Sequence, residues 1–328
     1  MKAIRVENFG DSRVMQMQEV PAPVAGPRQV LIRLHAAGVN PVDTYIRTGN
    51  HAHKPVLPYT PGFDGAGEVI AIGPDWPRAD IKVGSRVWCC RSVTGTYAEQ
   101  CVCDAKSVAL LPDHVSYEVG AAVGTASMTA WLALVPKAGA TDSDIVLVHG
   151  ASGGVGLSAV QFAKSMGCTV IGTAGTEKGL HEVIMHGADY AVNHREAGYE
   201  SKIIGLTDQK GPDVILEMLA NVNLGRDMQM IAPRGRIVVI GNRGEITVNP
   251  RMLMTKDASV VGMSMMNAKD VEWALALRAV RDGLANNTLK PLVHHKMPLA
   301  EAPRAHDLVM DPSSAGGGAL GKIVLLTA

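Results

Sequence analysis

The sequence predicts an α/β protein with two unlike parts, a β-rich first third and a doubly wound parallel sheet that fills most of the remainder. Three observations carry this. Short apolar runs broken by prolines crowd the chain up to residue 118, strand and helix patterns alternate from residue 119, and one apolar run passes directly into a glycine-rich loop that opens a helix.

In the first part, residues 29–35, 68–72 and 85–88 read as strands, punctuated by Pro21, Pro23, Pro27, Pro41, Pro55, Pro58 and Pro61. That spacing suits a small barrel or sandwich and leaves helices little room. In the second part, the β-branched run 145–148 is followed by the glycine loop and by Leu157, Val160, Phe162 and Ala163 at near-helical spacing. Strands at 169–171, 190–192, 214–216, 236–240 and 259–261 continue the alternation, which is the pattern of a parallel sheet covered by helices. Residues 268–288 form an amphipathic helix, and 322–326 a closing strand that either part could own. The low-complexity run 313–318 reads as a loop, and no internal repeat is found.

A chain of 328 residues exceeds the roughly 150 of one typical domain, and 47% hydrophobic residues are enough for two cores. The 31 basic and 31 acidic side chains cancel and aromatics are only 4%, so neither a phosphate-gathering field nor base-stacking platforms are supplied, which disfavours nucleic acid as a partner. The first twenty residues carry Lys2, Arg5, Glu7, Asp11, Arg13 and Glu19 without a continuous apolar core; no secretory leader is expected, and the expected location is cytoplasmic. Residues 119–136 are uncharged, but Gly120, Gly124, Thr125, Ser127 and Thr129 mark them as a buried helix rather than a membrane span. Five cysteines, an odd number with Cys89 and Cys90 adjacent and no C-x-x-C, read as reduced thiols and not as a structural zinc lobe.

The chemistry is concentrated in Val146-Leu-Val-His-Gly-Ala-Ser-Gly-Gly-Val-Gly156. Aligned on its end, the dinucleotide pattern G-x-G-x-x-G reads Ala151-x-Gly153-x-x-Gly156, with strand before and helix after, so backbone amides and a helix N-terminus would meet a pyrophosphate. Gly153 is expected to serve both the close approach and the turn itself. NAD sites usually end the second strand with an acid for the ribose; here the chain reads Gly172-Thr-Ala-Gly-Thr-Glu-Lys-Gly179. Lys178, with His194 and Arg195 after the next strand, favours a 2′-phosphate and hence NADPH, unless Glu177 bends inward. Gly316 to Lys322 imitates a P-loop, but Ile323 replaces the magnesium-binding hydroxyl and a strand follows, so that motif is rejected. No tyrosine has a lysine four residues later, which removes the acid pair of short-chain dehydrogenases.

With both halves in view, the chain resembles the medium-chain dehydrogenase/reductase superfamily, and within it the zeta-crystallin type quinone oxidoreductases. The resemblance rests on Ala37-Gly-Val-Asn-Pro-Val-Asp-Thr-Tyr45, Leu57-Pro-Tyr-Thr-Pro-Gly-Phe-Asp-Gly-Ala-Gly67, His149 to Gly156, Asn193-His-Arg-Glu196 and Glu217-Met-Leu-Ala-Asn-Val-Asn223, spread in order along the chain. It implies a GroES-like catalytic domain of residues 1–118 and 266–328 and a Rossmann NADP-binding domain of residues 119–265.

Zinc-dependent relatives hold their metal through a cysteine where Asn40 stands and through a histidine and a glutamate where Phe63 and Asp64 stand, so the resemblance implies no metal here. Without a Lewis acid, quinones and activated enones are the acceptors expected, reduced by NADPH, with Asn40 and Tyr45 donating hydrogen bonds as catalytic residues. The cofactor contacts implied are Tyr45, Ser152, Gly153, Gly154 and Val155 at the pyrophosphate, Gly175, Lys178 and His194 at the adenosine end, and Asn223, Ile240, Gly241, Asn242, Arg243, Met263, Ser264 and Met265 beyond it. Met128, where relatives are bulkier, is expected to widen the substrate pocket. A homodimer or homotetramer, pairing near residues 259–263, is also implied. Two readings stay open beside this one: a zinc-free reductase of another alkene or carbonyl, and a non-catalytic nucleotide-binding protein of crystallin-like or RNA-associated kind.

Overall fold

The computed structural model describes residues 1–311 and 320–327, and the run expected as a loop at 313–318 lies outside the described residues. Strands β1 (Lys2–Val6) and β2 (Met15–Glu19) pair antiparallel. The three early apolar runs become β3 (Gln29–Val39), β4 (Asp64–Ile72) and β5 (Arg86–Cys89), joined by β6 (Gln100–Asp104) and β7 (Val108–Leu110). Their inward face is a core of Val30, Ile32, Leu34, Val69 and Val87 with the thiols of Cys89, Cys101 and Cys103. All five cysteines are free and buried.

A helix does form in this region. Helix α1 (Pro41–Arg47) places Pro41 in its first turn, where a missing N–H costs nothing, and the Asp43 carboxylate accepts a hydrogen bond from the Asn40 backbone N–H at 2.9 Å. The prolines that argued against helices here include the one that starts this helix.

Helix α2 (Tyr117–Leu132) accounts for the uncharged stretch. It lies against β3 and β4 on one side and against α3 (Gly154–Ser165) on the other, so its composition reflects burial inside the protein. Gly124 gives Asp64 its space, since a Cβ there would sit 2.4 Å from Asp64 Oδ1. Met128, one turn further along the helix, has its side chain fully buried in the main core, so it does not widen a pocket.

Strands β8 (Ile145–Val148), β9 (Thr169–Ala174), β10 (Tyr190–Asn193), β11 (Val214–Glu217), β12 (Arg236–Val239) and β13 (Ser259–Gly262) form a parallel sheet in the order β10-β9-β8-β11-β12-β13. Helices α4 (Glu177–Met185), α5 (Tyr199–Gly205), α6 (Ala220–Met230) and the short α7 (Arg251–Met254) fall between its strands. This order reverses between β8 and β11, the place where doubly wound sheets open a crevice. After α8 (Asp270–Ala285), the chain returns to the first sheet through β14 (Val293–Pro298), α9 (Ala302–Met310) and β15 (Lys322–Leu326). Strand β15 pairs parallel with β14 and antiparallel with β3, Ile323 opposite Val39, which assigns the closing strand to the first sheet.

Candidate active site

Strand β8 ends beside β11, and His149 opens the glycine loop with its N–H donating to the Leu216 carbonyl at 3.0 Å. Gly150 takes a left-handed φ of +56°, and a Cβ on Gly156 would lie 2.5 Å from the Gly150 carbonyl oxygen, so the loop folds tightly onto the first turn of α3. Gly153 is different. Its φ of −78° and ψ of 172° are open to any residue, so the turn does not need glycine there, and what its lack of side chain provides is a bare backbone before the twelve-residue helix α3. Ser152 is buried beneath this surface and Val155 half-buried on the first turn of α3. A pyrophosphate fits such a cradle by shape and by the helix's partial positive charge.

At the end of β9, a Cβ on Gly175 would come 2.8 Å from both His194 Nε2 and Arg195 Nε. The structure thus gathers Gly175, His194 and Arg195, with burial and the nearby His149 and Arg195 charges lowering the pKa of His194. Lys178 and Glu177 are both exposed in the first turn of α4. The charge of Lys178 reaches His294, whose pKa is lowered by burial first, then by His295 and Lys178.

Beneath the loop, His149 Nε2 is 2.9 Å from Asp227 Oδ1 and 3.7 Å from Glu217 Oε2, all three side chains being buried. Glu217 Oε1 accepts the Asn223 amide at 3.2 Å and the Leu219 N–H, fixing the start of α6. Glu217 Oε2 and Asp227 Oδ2 have no hydrogen-bonding partner among the described residues. Burial, outweighing the His149 charge and aided by Asp227, pushes the Glu217 carboxyl up to about 7, so it keeps a proton well above the usual carboxylate range. A raised folded pKa stabilises the protein fully at acid pH, and that contribution is lost as pH rises from the unfolded value through 7. Asp43, also pushed up to about 7, adds a slope of the same sign. The Tm of the wild type is therefore expected to fall over this range, and Glu217→Gln to flatten the fall in a pH series of thermal melts; an unchanged slope would show that Glu217 is ionised throughout.

The third region lies where the two sheets meet. Asn40, the residue before α1, is buried, and its Nδ2 donates to Asp64 Oδ2 at 2.9 Å. Asp64 also accepts the Thr125 backbone N–H and hydroxyl, each at 2.8 Å. The Lys322 ammonium donates to the Val39 carbonyl at 2.8 Å and to Asn40 Oδ1. Asp43 accepts from the Tyr97 hydroxyl at 3.3 Å, and Tyr97 in turn contacts His306 Nε2 at 3.0 Å. Burial and then the Asp64 charge raise the Asp43 carboxyl, while burial, against Asp64 and Asp43, lowers Lys322. Tyr45 stands half-buried on α1, and its hydroxyl has no partner among the described residues.

From the other sheet, buried Met265 brings its sulfur 4.0 Å from Cys90 Sγ, which is 3.9 Å from the Thr125 hydroxyl. Met263 is buried, Ser264 exposed, and Ile240 and Gly241 half-buried, with Gly241 packed so closely on Met218 that a Cβ would lie 2.2 Å from its carbonyl oxygen. Asn242 bonds the Gly244 carbonyl, and Arg243 Nη1 reaches the Met310 carbonyl at 3.2 Å, linking the end of β12 to the first part.

The sequence points to Asn40 and Tyr45 as hydrogen-bond donors and to Asp64 only as a changed metal-ligand place; the structure joins Asn40 to Asp64, and its amide is committed at both ends. Sequence reasoning gave no role to Thr125, Asp43 and above all Lys322, which it met as the first residue of the closing strand and as part of the rejected P-loop imitation. The available signal was a lysine at the head of the apolar closing strand. Its partners, 282 positions away at Asn40 and 283 at Val39, could not be read from local pattern.

A divalent cation does not suit this junction. Asn40 offers only an amide oxygen, already bonded to an ammonium, Phe63 offers no ligand, and Lys322 places a positive charge among the remaining oxygens.

The family model described as "Zinc-binding dehydrogenase" matches residues 154–280, and that described as "Alcohol dehydrogenase GroES-like domain" matches residues 26–113. The chain is 43% identical to a quinone oxidoreductase of Sus scrofa over 99% of its length and 98% of that protein's, and 41% identical to one of Homo sapiens with the same coverage. Among solved structures, the quinone oxidoreductase of Escherichia coli complexed with NADPH superposes with a TM-score of 0.88 at 28% identity, covering 99% of this chain and 100% of that one. An NAD-dependent alcohol dehydrogenase superposes with a TM-score of 0.90 at 30% identity over the whole of both chains. Full-length identity above 40%, joined to a two-part fold whose glycine loop faces the Asn40–Asp64 junction, means that this chain belongs to the quinone oxidoreductase family of the medium-chain dehydrogenases/reductases.

Proposed function

We propose that this protein is a zinc-independent, NADPH-dependent reductase of quinones or activated enones. The observation that carries this reading is the buried Lys322–Asn40–Asp64 network at the junction of the sheets, an ammonium and an amide in the place where the family's zinc enzymes keep a Lewis acid. Bound NADPH supplies a hydride. The backbone of 152–155 and the N-terminus of α3 hold the pyrophosphate, and Arg195, His194 and Lys178 offer charge and donors to a 2′-phosphate. Asn223, the turn 240–243 and Met263 to Met265 border the rest of the cofactor.

An acceptor that is already electron-poor needs orientation more than polarisation, and developing charge on its oxygen needs a donor. Because the Asn40 amide is spent on Asp64 and Lys322, we assign the donor's role to the Tyr45 hydroxyl, on the helix that follows Asn40. Quinone, hydride and one proton give the hydroquinone, and solvent replaces the proton. We take the domain boundaries at 118/119 and 265/266. The exposed edge strand β13, with Val260 partly uncovered, supports a homodimer or homotetramer. Five free thiols suit a reducing, cytoplasmic location.

Following NADPH oxidation at 340 nm against a panel of quinones, enones and saturated carbonyls tests the reading. Quinones and enones are expected to be reduced and unactivated ketones left untouched; turnover restricted to other alkenes or carbonyls, or none despite tight NADPH binding, would replace it. Metal analysis after brief chelation is expected to find far less than one zinc per chain with activity intact. One zinc per chain, lost together with activity, would refute the role given to the network.

A further inference from the structure

Lys322 does more than balance a charge. Its hydrocarbon stem crosses the start of α3, where a Cβ on Gly154 would come within 2.5 Å of Lys322 Cδ. The preceding residue holds the same loop: the Gly321 N–H donates to the Ser152 carbonyl at 2.7 Å, and Gly153 and Gly321 pair as an isolated parallel bridge. At its other end the ammonium grips the Val39 carbonyl and Asn40 Oδ1, the two residues immediately before the helix that carries Tyr45. Gly321 and Lys322, at the head of β15, therefore touch between them the glycine loop of one domain and the residues that lead into α1 of the other.

We propose that Lys322 is a positioning residue for hydride transfer, a strut that fixes the distance between the cofactor-binding loop at 152–154 and the Asn40–Tyr45 end of α1. The inference rests on the NADPH-dependent reading above and adds to it the element that sets the geometry. Hydride transfer depends steeply on donor–acceptor separation, so a displacement of about 1 Å between loop and helix is enough to lose on the order of a hundredfold in rate. A lysine suits the task here because burial makes its ammonium insist on its acceptors, and Asp64, held by Thr125 and Asn40, keeps the counter-charge in place. Lys322 acts through Asn40 and the loop backbone and is assigned no contact with the acceptor.

Lys322→Met keeps the stem and removes the ammonium, but it also strands the buried Asp64 charge and risks losing the fold. The decisive comparison is the double variant Lys322→Met/Asp64→Asn against Asp64→Asn alone, in which the ammonium still holds Asn40. Three measurements are made on both: the Kd for NADPH by fluorescence without acceptor, the single-turnover rate of the preformed NADPH complex mixed with a quinone, and amide hydrogen exchange of peptides covering 40–45 and 150–157 in the cofactor-free protein. The double variant is expected to transfer hydride at least tenfold more slowly than Asp64→Asn, with Kd within threefold and faster exchange in both peptides. A rate within twofold overturns the proposal, as does a tenfold weaker Kd with an unchanged rate, which would make Lys322 a phosphate ligand instead. If the wild type reduces no quinone, the functional reading fails by itself; the strut then stands or falls on exchange, and equal protection in the two variants overturns it.

Discussion

Gly153→Val is expected to weaken NADPH binding by at least a hundredfold, equivalent to about 2.8 kcal/mol, while leaving the Tm within a few degrees of wild type. The two halves of that expectation have separate causes. The backbone at 153 is extended, with φ −78° and ψ 172°, a conformation that valine adopts readily, so the substitution does not strain the chain itself. What changes is the surface in front of α3, where a branched side chain would stand between the loop amides and a pyrophosphate and would cover the helix end that attracts it. Gly156→Val is the informative contrast, because its Cβ would lie 2.5 Å from the Gly150 carbonyl, inside the fold and not in front of it. That variant is expected to lose stability together with affinity. Isothermal titration and thermal melts on both proteins check this, and NADPH affinity unchanged in Gly153→Val would mean that the cofactor lies elsewhere.

The second large effect concerns coenzyme choice. No carboxylate ends β9 at Ala174, so NADH finds no ribose partner at the strand end, while Arg195 and His194 converge on Gly175 and can meet a 2′-phosphate. A charge-assisted hydrogen bond contributes roughly 1.5–3 kcal/mol when well aligned, and exposure of Arg195 and Lys178 reduces that. A preference for NADPH on the order of a hundredfold in kcat/KM follows, about 2.8 kcal/mol, declining as salt is raised. Arg195→Ala is expected to remove about tenfold of it and Lys178→Ala less, because Arg195 packs on Gly175 whereas Lys178 stands exposed within reach of His294. Steady-state kinetics with both coenzymes at two salt concentrations decide the matter; equal efficiency with NADH, indifferent to salt and to both substitutions, would assign the adenosine end to Glu177.

Much of the fold was legible because it is written in local pattern. The runs 145–148 and 322–326 coincide with β8 and β15 residue for residue, since an apolar β-branched run bounded by turns has little else to become. The glycine loop was equally legible, its demands on backbone space being confined to a few neighbouring residues. Short or polar elements were harder to read: β1, β2 and α1 are five, five and seven residues long, and α1 depends on a proline and a single Asp43 contact.

What the sequence by itself determined, then, is the cofactor-binding half, the residue types that stand at 40, 63 and 64 and the lack of an acid at the end of the second strand, all matters of residue type at local spacing. The tertiary structure decided the use of side chains that meet across the chain. It buried Met128 in the main core, spent the Asn40 amide on Asp64 and Lys322, and brought Lys322 to the junction of the domains. It also gathered His149, Glu217 and Asp227 under the loop. The physical reason is common to all of these: the state and partners of a buried polar group are set by which other groups share its dry surroundings, and those groups lie tens to hundreds of residues away along the chain.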